Sequence, residues 1–340
     1  MSRRALIIAV IIAAFIAIAL LGRRSGDSAN AVVVYVSHDQ VFSEPILKDF
    51  ERDTKIAVRA IYDTEETKSA GLMNRLLAEK NNPQADVYWA NEPIRADVLR
   101  QQDVATPYRS ANAEGIAAQF RDPKDYWTGF SARARMLIFD RGRERKPTSI
   151  RAYTDPQFRA QAVIANPLFG TTTAHIAALF TVWGESKAKA FLQSMRDNGV
   201  KISSSNGDSA DEVAKGLARF ALVDSDDVYS RQKQGQAVDG SYPDQEAGGL
   251  GCFIVPNAVL LIKGAPHPDS ARKLIDYLLS RDTEKKLAYS DAAQIPLHPG
   301  VDTPSHVPHI DTLRVMAVDY AVVAAKMQQI QPWLSDWVGH

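Results

Sequence analysis

The chain has 340 residues, 45% of them hydrophobic and 24% charged, with 40 Lys plus Arg against 40 Asp plus Glu. That is the composition of a globular protein long enough for two domains, and the zero net charge excludes a global field that draws it to nucleic acid or an anionic membrane. Its single cysteine, Cys252, excludes an intramolecular disulfide and a cysteine-rich metal site.

At the N-terminus, Arg3 and Arg4 precede an apolar run from Ala5 to Leu21, and Arg23 and Arg24 follow it. A positive flank and an apolar segment read as a signal peptide, with Ala29 and Ala31 as the small residues at −3 and −1 for cleavage after Ala31. The run of about 17 residues also approaches membrane-spanning length. Residues 1–31 are therefore expected to be a signal peptide or an N-terminal anchor, with the remainder outside the cytoplasm.

From Val32 onward strands and helices alternate. Val32–Val36 is β-branched, Glu44–Arg52 has helical periodicity, Ala57–Tyr62 is strand-like, and Thr67–Glu79 carries Leu72, Leu76 and Leu77 at helical spacing. Asp86–Trp89 is a third strand and Ile94–Gln102 a further helix, which argues for a mostly parallel sheet flanked by helices. Ser131–Phe139 reads as a long strand. A second α/β set follows: strand Ala162–Ala165, helices Thr172–Trp183, Ser186–Asn198 and Ser209–Arg219, and strand Phe220–Val223. Gly248–Ile262 is another extended stretch, interrupted at Pro256, followed by helices His267–Ser280 and Thr283–Ser290 and a closing helix near Asp311–Gln329. Two long extended segments suggest two crossings between two lobes. The expected division is 32–132 plus 256–310 for lobe 1 and 133–255 plus 311–340 for lobe 2.

In open α/β sheets ligands bind beyond the carboxyl ends of the strands, and polar groups gather there. Ser37-His38-Asp39 follow the first strand, Asp63 to Glu66 the second, Asn91 and Glu92 the third, Asn166 and Gly170-Thr171-Thr172-Thr173 the fourth, and Asp224-Ser225-Asp226-Asp227 the fifth. Gly170 to Thr173 open a helix, where free backbone N–H groups favour an anion; an ordinary threonine cap is the plain alternative. Arg133 and Arg135 lie on one strand face and could pair with that anion or with an aspartate. Three carboxylates in four residues repel one another unless a hard cation, an ammonium group or hydrogen-bond donors compensate. His38 is a candidate metal ligand. His175 is expected to pack half-buried within its helix, His267 and His298 to lie in surface turns, and Ser209 with Glu212 to form a capping box. Tyr88 and Trp89 are expected in the core, with ligand stacking as the alternative, and Cys252 is expected to be a buried small residue.

Several stretches carry a family resemblance. Val32–Asp39 with Phe42–Phe50, Asn82-Pro83-Gln84-Ala85-Asp86-Val87-Tyr88-Trp89, Ser131–Asp140 and Pro256–Leu279 resemble the iron-transport periplasmic binding proteins. These are substrate-binding subunits of ABC importers with the α/β, two-lobed type II periplasmic binding fold. The resemblance implies a protein that is not an enzyme, captures a small solute between its lobes, works as a monomer, and delivers its cargo to a permease and ATPase complex. It implies ligand contacts from His38, Asn91, Glu92, Arg133, Thr171, Thr172, Thr173, Asp226 and Asp227. Of these, His38, Glu92, Asp226 and Asp227 would hold a metal ion, Fe(III) or divalent, completed by a bound anion. The chain departs from the pattern where ferric binders carry paired tyrosines: Asp226 and Asp227 stand in those places, with Tyr229 nearby. Aspartates are hard oxygen donors but weaker bases than phenolates, and suit Ca, Mn or Mg about as well as iron. A small organic solute such as a phosphonate or polyamine is the alternative cargo. A secreted metal-dependent hydrolase is a further one, although no His-Glu-x-x-His or Gly-x-Ser-x-Gly motif is present.

Overall fold

A computed structural model describes residues 30–63, 70–142 and 144–339. The expected signal or anchor segment up to residue 29, and the polar groups at 64–66, lie outside the described residues. The expected cleavage point after Ala31 falls inside the first strand, since Ala31 already pairs with Ala57. No helix among the described residues is long and apolar enough to cross a membrane.

Ten strands among the described residues form one sheet: β1 (Ala31–Val36), β2 (Ala57–Tyr62), β3 (Val87–Ala90), β4 (Ala105–Thr106), β5 (Thr128–Asp140), β6 (Ala162–Ala165), β7 (Lys201–Ser203), β8 (Phe220–Asp224), β9 (Val238–Ser241) and β10 (Ile254–Ile262). The order along it is β2-β1-β3-β10-β5-β8-β6-β7, with β4 on β10 and β9 on β5. The triplets β2-β1-β3 and β8-β6-β7 are parallel, while β5 and β10 run antiparallel to their neighbours. Parallel strands covered on both faces read as unbroken apolar runs, and every residue of β1, β3, β6, β8 and β10 is buried.

The helices are α1 (Gln40–Thr54), α2 (Ala70–Ala78), α3 (Pro93–Gln101), α4 (Gly170–Trp183), α5 (Glu185–Asp197), α6 (Asn206–Ala214), α7 (Ser225–Lys233), α8 (Pro268–Leu278), α9 (Arg281–Tyr289) and α10 (Tyr320–Gly339). Most boundaries follow the sequence periodicity, and four expectations are corrected. The helix expected at Ser209–Arg219 starts earlier, because Ser205 caps it by accepting from Asp208 N at 3.0 Å; Ser209 lies inside the helix, so the Ser209–Glu212 box does not form. The closing helix is Tyr320–Gly339, since Asp319 accepts from Ala321 N and starts it there. The strand expected from Gly248 begins only at Ile254, after Gly248 and Gly251 adopt left-handed φ of 80° and 81°. His298 is buried, with Nδ1 2.7 Å from Glu284 and Nε2 2.7 Å from the Asn112 carbonyl; His267 is half-buried against Asp86.

One strand carries the chain through both halves of the sheet. Residues 128–130 and 132–134 of β5 pair with β10, whereas 135–139 pair with β8 and 137–140 with β9. Close to this crossing Ser131 takes a φ of 37°, and the β5–β10 register shifts between Pro256 and Asn257. Asn257 Oδ1 accepts from Trp89 Nε1 at 3.2 Å, and its amide donates to Gln294 Oε1 at 2.9 Å. Helix α10 packs against both α3 and α4. The carboxyl ends of β1, β3, β6 and β8 therefore converge on the zone where β5 changes partners.

Candidate functional site

At the carboxyl end of β8, Asp224 precedes α7, and Asp226 and Asp227 occupy its first turn. Asp227 Oδ2 accepts from Asp224 N at 3.2 Å, which ties the turn down. One carboxylate oxygen from each of Asp224, Asp226 and Asp227 lies within 4.8 Å of the others.

The three carboxylates have different neighbours. Asp224 is clamped by Arg135 Nη1 at 2.8 Å, Arg133 Nη1 at 3.2 Å and the Thr171 hydroxyl at 3.0 Å. Burial opposes its charge, yet the two guanidinium groups hold its carboxyl below the usual range. Asp226 makes no ion pair among the described residues, and Asp227 approaches Arg231 only at 3.5 Å. Burial, first, and the adjacent carboxylates push both above the usual carboxylate range. Arg133 and Arg231 offset only part of this cost.

Arg135 is 0% exposed and organises the wall behind the cluster. It also donates to Thr171 Oγ1 at 2.9 Å, Thr172 Oγ1 at 3.1 Å and the Leu222 carbonyl at 2.8 Å. Asn206 Nδ2 donates to Thr171 Oγ1 at 2.9 Å. The threonine hydroxyls expected to meet an anion are thus turned inward to Arg135 and Asn206. What α4 offers outward is its first-turn backbone N–H groups, because its cap residue, Phe169, supplies no side-chain acceptor. Gly170 opens the helix at φ 61°, a conformation that favours glycine.

These groups line one cleft of about 630 Å³. Asp39, Asn91 and Arg95 come from the β1–β3 half; Asn166, Phe169–Thr172, Ser204–Gly207, Asp224, Asp226 and Asp227 come from the β6–β8 half. Arg133 links the two by donating from Nη2 to the Asn91 carbonyl at 2.6 Å while holding Asp224.

Of the residues expected at the site, Asn91, Arg133, Thr171, Thr172, Asp226 and Asp227 meet in this cleft. His38, Glu92 and Thr173 do not line it. His38 is buried, stacked on Trp89 at 5.6 Å and beside Phe42 at 5.8 Å, with Nε2 3.3 Å from Gln294 Nε2. Glu92 caps α3, accepting from Ile94 N at 2.6 Å and pairing with Arg95 at 2.7 Å. Thr173 Oγ1 is buried with no side-chain partner. Tyr229 is spent on Tyr242 OH and the His306 carbonyl, both at 2.7 Å. Tyr88, Trp89 and Cys252 are core residues, and His175 is fully rather than half buried, at 2% exposure. Arg135 pairs with an aspartate, Asp224, as one sequence reading expected, and Asp224 belongs to the expected carboxylate cluster. Asp39, Arg95, Phe169 and residues 204–207 also line the cleft, and for Phe169 no sequence signal pointed there.

A family model described as bacterial extracellular solute-binding protein matches residues 85–321, more than half of the chain. The chain belongs to this family. Among relatives of this solute-binding protein, iron uptake protein A2 of a Synechocystis species is 24% identical over 298 residues, covering 84% of this chain and 83% of its own. A Salmonella typhimurium periplasmic protein named for binding 2-aminoethylphosphonate is 24% identical over 294 residues, 85% of this chain and 80% of its own. Apo ferric ion-binding protein A of Pasteurella haemolytica superposes with a TM-score of 0.80 at 24% identity, covering 91% of this chain and 98% of that one. The likeness fixes the fold as the type II periplasmic binding architecture, as the sequence resemblance implied.

Proposed function

We propose that this chain is the solute-binding component of an ABC importer, taking a metal cation, iron first, together with an anion in the cleft and delivering it to a permease and ATPase complex. The observation that carries this is the single crevice in which Asp39, Asn91 and Arg133 face Asp226, Asp227 and the α4 N-terminus. Burial and the neighbouring carboxylates still oppose the charge of Asp226 and Asp227 despite Arg133 and Arg231 nearby, and a cation would offset that cost; the first-turn N–H groups of α4 suit the anion. Iron is favoured by relatives named as iron uptake and ferric iron-binding proteins, and the aspartates admit divalent ions as well. The protein acts outside the cytoplasm, as its periplasmic relatives do, and binds rather than transforms its solute.

Lobe 1 is taken as 32–132 plus 256–310 and lobe 2 as 133–255 plus 311–340, moving about β5 and β10. A ligand favours closure only through contacts it gains in the closed form. The test combines metal analysis of the purified protein, calorimetry with ferric and divalent ions, and small-angle scattering with and without ligand. Bound ligand with compaction supports the reading. Unaltered affinity in the Asp226→Ala, Asp227→Ala double variant removes these carboxylates from it, and a bound ligand without compaction refutes the hinge.

A further inference from the structure

The residue that caps α4 is out of keeping with its position. Helix caps are normally Ser, Thr, Asp or Asn, whose side chains satisfy a free N–H. Here the place is taken by Phe169, with an extended backbone (φ −134°, ψ 155°) and no side-chain bond to the helix. Phe169 is 66% exposed and lines a cleft whose other residues are mostly polar. Its backbone is set by the turn before it, in which Asn166 Oδ1 accepts from Leu168 N at 3.0 Å and the Asn166 carbonyl accepts from Phe169 N at 3.2 Å. Phe169 thus lines the cleft directly beside the first-turn N–H groups of α4, where a ligand's anionic group would meet backbone donors. An aromatic ring gains from covering carbon and gains nothing from a hydrated inorganic ion. A cleft of about 630 Å³ is in the range that holds small organic molecules.

From this we infer that Phe169 is a specificity-determining wall, and that the anion taken at the α4 N-terminus is organic: a carbon skeleton bearing a carboxylate or phosphonate, which the ring covers. This rests on the importer reading above and narrows its substrate class. The organic anion either chelates the metal held by Asp226 and Asp227, or carries its own ammonium group to those carboxylates.

The test is calorimetry on wild type, Phe169→Ala and Phe169→Trp with three probes: ferric iron with citrate, ferric iron with inorganic phosphate, and 2-aminoethylphosphonate without metal. The exposed position makes both variants fold, and circular dichroism with melting temperature checks this. Wild type is expected to prefer one organic probe over iron with phosphate, and which one it prefers identifies the source of the anion. Phe169→Ala is expected to weaken that organic probe about tenfold, to change iron with phosphate less than about twofold, and Phe169→Trp to restore the organic affinity. Equal losses in both classes, no loss for the organic probes, or wild-type preference for iron with phosphate would overturn the role of Phe169 and leave the importer reading intact. Failure of wild type to bind any of the three overturns the assignment of the cleft itself.

Discussion

Replacing Arg135 by Met keeps most of the side-chain stem and removes the guanidinium from the wall of the cleft. The structure assigns that group four partners: Asp224 at 2.8 Å, Thr171 at 2.9 Å, Thr172 at 3.1 Å and the Leu222 carbonyl at 2.8 Å. Arg135 is 0% exposed and the Asp224 side chain 5%, so water cannot take over from the lost donors. Asp224 keeps Arg133 at 3.2 Å, which offsets part of its charge. Breaking a buried ion pair by deleting one partner costs about 3–5 kcal/mol, because it strands the other charge. The surviving Arg133 contact places the expected loss at the lower end, about 3 kcal/mol. Urea unfolding of the ligand-free protein measures it. Arg135→Met combined with Asp224→Leu should lose less than the sum of the two single variants, with a coupling of about 1–3 kcal/mol. A loss below about 1 kcal/mol for Arg135→Met, or strict additivity in the double variant, would refute the argument that this pair holds the wall together.

Asp226→Asn with Asp227→Asn removes the two carboxylates that burial and mutual repulsion hold above their usual range; thermal unfolding at neutral pH should show the ligand-free protein stabilised by about 1–2 kcal/mol, while cation binding is lost in calorimetry. His175 is buried against Phe253, and burial, then Arg135, lowers its pKa to about 3. The unfolded chain therefore binds the extra proton first, so stability present above about pH 6.5 falls as the pH drops toward 3, by up to about 1.4 kcal/mol per pH unit; urea midpoints against pH should flatten in His175→Phe. His38→Ala should lower stability by about 1–3 kcal/mol through the lost packing on Trp89 yet leave cation affinity within about threefold; a loss of a hundredfold or more would return His38 to the ligand set.

The alternation of β-branched runs with amphipathic segments was enough to specify an α/β protein, and the resemblance of stretches such as Asn82–Trp89 and Pro256–Leu279 implied the family. Strand Ala162–Ala165 was legible to the residue, and the long strand around Ser131–Phe139 was recognisable from the apolar run Met136–Phe139 that continues its alternating Ala and Arg residues. The rule that ligands gather at strand ends also brought Asn91, Arg133, Thr171, Thr172, Asp226 and Asp227 to one cleft. Sequence order could not say which way each polar side chain turns. His38 and Glu92 follow their strands as candidate ligands do, yet one is consumed by stacking on Trp89 and the other by capping α3. The Thr171 and Thr172 hydroxyls point back to Arg135 and Asn206, partners 34 to 37 residues away. The threonine choices follow from hydrogen bonds between distant elements that exist only once the sheet is assembled, because a buried polar group takes whichever partner the assembled fold supplies, whereas the Glu92 cap is a local choice.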